Sequence, residues 1–524
     1  MMTRRLPRIP SLVPACAALA LVGLVLAGCG SSDSAGAVAG AAGTDGRAAK
    51  AFPASTAAFL SANIDESSTG WKQLLALGAR FPSWPKLAGQ VQKGMAGEAG
   101  GDSPTVAQLR SWLGPEVAVG VLAVPADGSD PSVLGFAEVR DRAQLEAALK
   151  QDKDTKALGT SGDYDLFGNG AKATIAISSD TALLANSRAS VDAAIARLGG
   201  TGDSLADAPA FTDTMSKLAA DNIVVGYAPG STLPKLVAMG QKSAQGITQA
   251  QIGGQLTSQL AAVRSLGFSF GATDKGIRIR GTTLLNGDAG SLPADYTPTL
   301  LDRVPASSWL AASFGDVGAN AKNAVDQALA ANPDAKTGAQ QVQSLLGVSL
   351  DDIYALLGGE HALYAGPGAP VSAGLILHPS DPARGATTLR ALTRLLSQQG
   401  TKVNDTSDGQ SAVIQGFTAR WRTVGDDIGV GTDAAVGNAT KDSIVDSDKF
   451  KSVLAEDGVD SGSKTLGLVY VDVPSLVNLA SAFGSFNGAA NAETLANLKH
   501  VGGVLLWAGR DGDTVVSDLF VEST

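Results

Sequence analysis

Apolar residues fall into short runs along most of this chain, and the first run is unlike the rest. Residues 12–26 are almost uninterrupted by polar side chains, yet the run is too short and too near the N-terminus to read as a membrane span. Residues 30–50 (GSSDSAGAVAGAAGTDGRAAK) carry little apolar bulk. They cannot offset the entropy lost on ordering, which predicts a flexible tether. Beyond them the pattern changes to strands and short helices. AVGVLAV, VLGFAEV, TIAIS and ALLAN have the length and composition of strands, and Ile277-Arg278-Ile279-Arg280 alternates apolar and basic as a strand with one wet face does. Val191, Ala194, Ile195 and Leu198 recur at helical spacing between a Ser190 cap and Gly199. Leu145, Ala148 and Leu149 after Asp141 predict a second helix, and Phe211, Met215, Leu218 and Ala219 behind Pro209 a third. Several neighbouring strands have no helix between them, which favours antiparallel meanders over a doubly wound parallel sheet.

The same elements come round twice. Phe52-Pro53-Ala54-Ser55-Thr56 matches Val304-Pro305-Ala306-Ser307-Ser308 at an offset of 252, and each leads into an apolar strand. Leu113-Gly114-Pro115-Glu116 matches Leu357-Gly358-Gly359-Glu360 at 244. Ser204-Leu205-Ala206-Asp207 with Phe211 matches Ser443-Ile444-Val445-Asp446 with Phe450 at 239, and IVVGYAPGSTLPKL matches LGLVYVDVPSLVNL at 243, aligning Tyr227 with Tyr470. Four anchors in one order, with small insertions, predict a duplication. The expected architecture is therefore α+β: two tandem copies of an antiparallel sheet with helices packed on one face. The organisation that follows is residues 1–28 as a signal peptide, 29–50 as a modified Cys and tether, 51–295 as the first repeat and 296–524 as the second. The join falls near residues 286–298, where Gly, Asp and two prolines interrupt the pattern.

Charge and cysteine usage explain the N-terminal run. Arg4, Arg5 and Arg8 precede it, and Leu26-Ala27-Gly28-Cys29 closes it. That is the layout of an export signal ending in a bacterial lipobox, where the Cys thiol receives diacylglycerol before cleavage. The Arg4-Arg5 pair leaves Sec and twin-arginine export both open. The other Cys, Cys16, lies inside the signal, so the mature body has no intramolecular disulfide. Of 40 basic and 50 acidic residues, removal of the three signal arginines leaves 37 against 50, a formal charge of −13. Such a surface repels nucleic acid and anionic headgroups. Contact with the extracytoplasmic face of the bacterial membrane is then expected through the lipid anchor.

The FPASTAAFLSANID opening, the helix Trp71-Lys72-Gln73-Leu74-Leu75 running to Arg80-Phe81-Pro82, the LGxE strand start and the Phe-then-Tyr segment resemble a bacterial envelope lipoprotein family catalogued as a domain of unknown function, the 3352 type. The second copy departs by lacking a clear counterpart of residues 71–82. The resemblance implies no activity and carries over no functional residue.

Candidate chemistry is sparse. Gly202-Asp203-Ser204-Leu205 spells the start of a serine esterase motif, but no D-x-x-H exists: Gly358, Leu375 and Asn497 stand three before His361, His378 and His500. In the second copy the stretch reads Lys441-Asp442-Ser443-Ile444, a turn before a helix. Ser83-Trp84-Pro85-Lys86 and Lys336-Thr337-Gly338 mimic penicillin-binding motifs without the third. Glu116 and Glu360 sit at matched strand starts, where they either serve the fold or, brought together, form a carboxylate pair. Tyr227 and Tyr470 read as half-buried strand aromatics. No catalytic, cofactor or metal set is recognisable; the one assigned site is lipidation at Cys29. The reading this favours is a non-catalytic ligand-binding or scaffold protein of the cell envelope, taking a small-molecule, lipid or envelope-protein ligand. The alternatives are a hydrolase with an unrecognised acidic site and a carrier of apolar envelope molecules.

The anchoring expectation has a direct check. Cys29→Ala should move the protein from the detergent phase to the aqueous phase while leaving its circular dichroism unchanged; continued partitioning into detergent would remove the lipobox assignment.

Overall fold

A computed structural model describes residues 46–86, 89, 110–125, 130–151, 155–168, 173–218, 222–237, 260–287, 294–331, 343–344, 347–368, 371–414, 416–433, 436–438, 440–482 and 489–524. The expected signal, Cys29, most of the expected tether and Lys336-Thr337-Gly338 lie outside the described residues. The protein divides into two compact units, one of Ala35–Ala289 with Asp513–Val516 and the other of Gly290–Gly512 with Ser517–Thr524. It combines helices with antiparallel sheet, so the fold class is α+β.

The first unit contains β1 (Ala58–Asn63), β2 (Leu113–Ala123), β3 (Ser132–Val139), β4 (Lys156–Ser161), β5 (Tyr164–Gly168), β6 (Thr174–Ile177), β7 (Thr181–Ala185), β8 (Asn222–Pro229), β9 (Val263–Ala272) and β10 (Gly276–Leu285). Their hydrogen bonding gives the order 4-5-6-7-3-2-1-8-9-10, antiparallel throughout. The earliest strand is thus central, held by β2 on one side and β8 on the other. In β2 alternate residues from Gly114 to Gly120 are buried, the period-2 signature of a strand facing a core.

The second unit contains β11 (Leu310–Gly315), β12 (Glu360–Pro367), β13 (Val371–His378), β14 (Val403–Thr406), β15 (Gly409–Ile414), β16 (Phe417–Val424), β17 (Asp427–Gly431), β18 (Gly467–Asp472) and β19 (Val501–Asp511), with β20 (Thr514–Ser523), which belongs to this unit from Ser517 onward, beside β19. The order is 14-15-16-17-13-12-11-18-19-20, and the registered pairs are antiparallel. Each strand of the second unit stands where the strand numbered ten lower stands in the first. Registers correspond as well. Phe59 faces Tyr227 and Asn63 faces Glu116 in the first unit, while Ala311 faces Tyr470 and Gly315 faces Glu360 in the second.

The main core of each unit lies between its sheet and the helices that follow the Ser-x-x-Asp turn. In the first unit Phe52, Phe59, Phe211 and Tyr227 form a chain of edge-on rings, with centroids 5.1, 5.7 and 5.1 Å apart. Such pairs add roughly 0.5–1.5 kcal/mol each beyond their buried area. The second unit keeps the last pair, Phe450 on Tyr470 at 5.2 Å, but has Val304 and Ala311 where the first has Phe52 and Phe59.

Two expectations about packing need correction. Helices occupy both faces of the sheet, not one. Ile376 of β13 belongs to the core that holds the Asp448–Glu456 helix, whereas its neighbours Leu375 and Leu377 pack on Leu389 and Leu392 of the Pro382–Gln398 helix. Adjacent strand residues point to opposite faces, and the amphipathic Pro382–Gln398 helix, capped by Asp381 with Pro382 in its first turn, covers the second. The end of the expected tether is also ordered. Arg47–Ala51 is a helix whose Ala48, Ala49 and Ala51 are buried in the first core, because small residues alone let it lie flat against the sheet.

Smaller differences have local causes. The helix expected behind Ser190 begins three residues earlier, at Arg188, because Ser187 accepts the Ser190 N–H and is the true cap. The counterpart of the Thr69–Gly78 helix, which was not legible in the second copy, is present in chain order as Val317–Ala331 after β11.

Candidate functional site

The matched carboxylates are each committed to their own unit. Glu116, 8% exposed, accepts the Ala48 N–H at 3.2 Å and the Ser61 hydroxyl at 3.1 Å. Glu360 accepts the Leu300 N–H at 2.6 Å and the Thr299 hydroxyl at 2.6 Å. Ala48 and Leu300 are the second residues of the Arg47–Ala51 helix and the Thr299–Arg303 3₁₀ turn, 252 positions apart. Both carboxylates therefore cap the free N–H groups of the segment that leads into Pro53 or Pro305. In the first unit Gly46 makes this possible, since a Cβ there would overlap the Glu116 carboxylate.

Other matched polar groups are used in the same way. Pro53 bridges Ser204, and Pro305 bridges Ser443. The Ser204 hydroxyl donates to Asp207 at 2.5 Å and the Ser443 hydroxyl to Asp446 at 3.3 Å. Ser204 is thus a turn residue with its hydroxyl engaged, as the repeat implied. Tyr227 and Tyr470 are 5% and 1% exposed, more buried than their strand pattern suggested, and burial pushes both phenols up, Tyr227 to about 12. Ser83 lies in the turn after the Thr69–Gly78 helix, where the Lys86 N–H donates to its carbonyl. His361 is buried against Phe314, with Nε2 2.7 Å from the Leu357 carbonyl, and burial holds its pKa down.

Two groupings were not visible in the sequence. Asp427, 4% exposed, contacts Arg303 at 2.5 Å and His378 Nδ1 at 2.6 Å, and His378 faces Glu360 across β12 and β13. Among the described residues no hydroxyl is hydrogen-bonded to the other His378 nitrogen. The second grouping surrounds a cavity of about 420 Å³ in the second unit, between the Pro305 turn, the start of the Asp448–Glu456 helix and the end of β18. Asp472 lies at its wall, 8% exposed, accepting from Lys449 at 2.7 Å and from the Ser475 hydroxyl at 2.8 Å. Ser308, 3% exposed, lines the same space, and its hydroxyl has no hydrogen-bond partner. The matched hydroxyl in the first unit, Thr56 Oγ1, donates to the Pro53 carbonyl at 2.6 Å. A buried hydroxyl left unbonded costs roughly 1–3 kcal/mol.

Part of the polar equipment of this cavity belongs to one unit alone, whereas Ser307, Ser308 and Ser475 have hydroxyl counterparts in Ser55, Thr56 and Thr232. At the offsets fixed by Ser204 and Tyr227, Ser447, Asp448, Lys449 and Asp472 stand where the first unit has Ala208, Pro209, Ala210 and Pro229. Comparing the two units for disagreement would have found these residues.

A profile of proteins of unknown function, DUF3352, matches residues 15–503. The chain belongs to the DUF3352 family. No curated protein matches it. Among solved structures, crystal form III of TP0453 is 9% identical, with 46% of this chain and 80% of that one covered at a TM-score of 0.27. Crystal form I of TP0453 is 8% identical, with 48% and 81% covered at 0.27. At that TM-score the likeness carries no argument about this DUF3352 member.

Burial raises Glu116 and Glu360 above the ordinary carboxylate value, with their hydrogen bonds pulling the other way. The folded state then holds more protons than the unfolded state. Each group's contribution is full below the ordinary value and is lost as pH rises through the raised one. In Glu116→Gln and Glu360→Gln the group is neutral at every pH. Urea unfolding between about pH 4 and pH 8 should show each variant gaining stability relative to wild type as pH rises; a difference independent of pH would contradict the raised values.

Proposed function

We propose that this DUF3352 protein is an extracytoplasmic lipoprotein anchored to the bacterial membrane through diacylglycerol on Cys29, whose body binds a ligand without transforming it. The body is a tandem duplication, with residues 51–295 and 296–524 as its copies. Support for the duplication comes from the common strand order and from the correspondence of Pro53, Glu116, Ser204 and Tyr227 with Pro305, Glu360, Ser443 and Tyr470 in bridges, caps and ring pairs.

One observation carries the binding reading: the matched carboxylates, turn serines and tyrosines are engaged by the fold, while the cavity of the second unit carries Asp448, Lys449 and Asp472, which the first unit lacks, beside an unpartnered buried hydroxyl. Duplicated positions that agree report on folding, and those that diverge are free to serve something else. Convergent polar groups in a cavity of this size suit a small molecule. The carboxylates and ammonium at the cavity count against a carrier of apolar molecules. The His378–Asp427 pair favours the hydrolase as second reading, because a carboxylate orients an imidazole there.

Two measurements on the mature wild-type chain test the assignment. Ester, amide and glycoside panels should show no turnover above background, and native mass spectrometry after extraction from its own envelope should show a bound small molecule. Turnover that disappears in His378→Gln, Ser204→Ala, Ser83→Ala or the paired Glu116→Gln and Glu360→Gln variant would replace the binding reading with the hydrolase.

A further inference from the structure

We infer that the cavity of the second unit is a saccharide site, in which Asp472 and Asp448 accept from sugar hydroxyls and the Ser308 hydroxyl bonds a sugar oxygen from the buried wall. The inference rests on the binding reading above and gives it a ligand class.

Charge is the first argument. Asp448, Asp472 and Lys449 leave the cavity with a formal charge of −1, in a chain whose own net charge is −10. An anionic ligand is repelled by that balance. Lys449 already reaches Asp472 at 2.7 Å, so the buried carboxylate is neutralised and does not call for a cationic ligand.

Hydrogen-bonding capacity is the second. Ser307, Ser308, Ser447 and Ser475 also line the cavity, and a hydroxyl both donates and accepts. A polyol, whose groups do the same, is the neutral complement of that wall. Asp472 takes Lys449 and the Ser475 hydroxyl on Oδ2 and only a long 3.4 Å contact from the Ser475 N–H on Oδ1, which leaves acceptor positions for a ligand hydroxyl. Ser308 supplies an independent observation, because its hydroxyl is buried and unpartnered at this wall while the matched Thr56 is satisfied within the fold.

Shape is the third. About 420 Å³ falls within the range of small-molecule sites. Ala306, Pro367 and Ile444 add apolar surface to the same wall, suited to the C–H face of a sugar ring.

The test uses the mature lipidated chain in a detergent that has no sugar headgroup. Saturation-transfer NMR and titration calorimetry are run with glucose, galactose, N-acetylglucosamine, cellobiose and chitobiose, with citrate and spermidine as charged controls. At least one saccharide should bind, and Ser308→Ala should weaken it about tenfold, the loss of one hydrogen bond, with unchanged circular dichroism. Lys449→Ala, which restores the residue type of the first unit, should weaken it as well. Saccharide binding indifferent to both variants overturns the site. If no saccharide binds, or citrate or spermidine binds in a Ser308-dependent way instead, the saccharide class is overturned while the binding reading stands. An empty chain by native mass spectrometry together with silence from every probe overturns both.

Discussion

A carboxylate at the start of a central strand, reaching back to the N-terminus of the segment that precedes the first strand, is the contact on which each unit is organised. Glu116 and Glu360 bond the second N–H of that segment from the same register position. The segment then runs through Phe52-Pro53 or Val304-Pro305, whose carbonyls and bridges fasten it to the Ser-x-x-Asp turn. With that end fixed, the earliest strand of each unit lies between two strands that arrive later in the chain. Burying a carboxylate is costly without hydrogen bonds. A helical start with free N–H groups has the opposite deficiency, and each satisfies the other.

This arrangement separates two kinds of polar residue. Those shared by the copies are consumed internally: carboxylates on helix starts, serines on turn aspartates, tyrosines under phenylalanines. Those present in one unit are bonded at the cavity, where Asp472 accepts from Lys449 and from Ser475 in the first turn of the Val473–Ala482 helix. Asp448, Lys449 and Asp472 replace Pro209, Ala210 and Pro229, which the first unit tolerates at the start of a helix and the end of a strand. The second unit has Val304 and Ala311 in place of the Phe52 and Phe59 rings and a polar cavity beside the Pro305 turn.

What could be read from the sequence was what period and repetition encode. Strands β1 to β3 and β6 to β8, the helix closed by Gly199 and the Pro209 helix all announce themselves through apolar spacing and punctuation. The second face of helices was hidden, because Leu375, Ile376 and Leu377 form a continuous apolar run that does not say which face its partners cover. Arg47–Ala51 was hidden because buried alanines look the same as linker alanines; its order comes from Glu116, 68 residues away. Of the candidate site, Glu116, Glu360 and Ser204 were visible as repeated residues. Their role was not, since a cap depends on a partner distant in sequence. Asp472 gave no signal because its meaning lies in a mismatch between the units, and Ser308 gave none because it reads as a matched hydroxyl and differs from Thr56 only in its bonding.

Urea unfolding of two sets of single variants tests this separation most directly. Ser204→Ala, Ser443→Ala, Glu116→Ala and Glu360→Ala alter matched positions, and Ser447→Ala and Lys449→Ala alter the cavity. The account predicts that each matched change costs roughly 0.5–2 kcal/mol, while each cavity change stays within about 0.5 kcal/mol of wild type. Cavity variants that destabilise the chain as much as matched ones would mean that those residues also serve the fold, and would contradict the account.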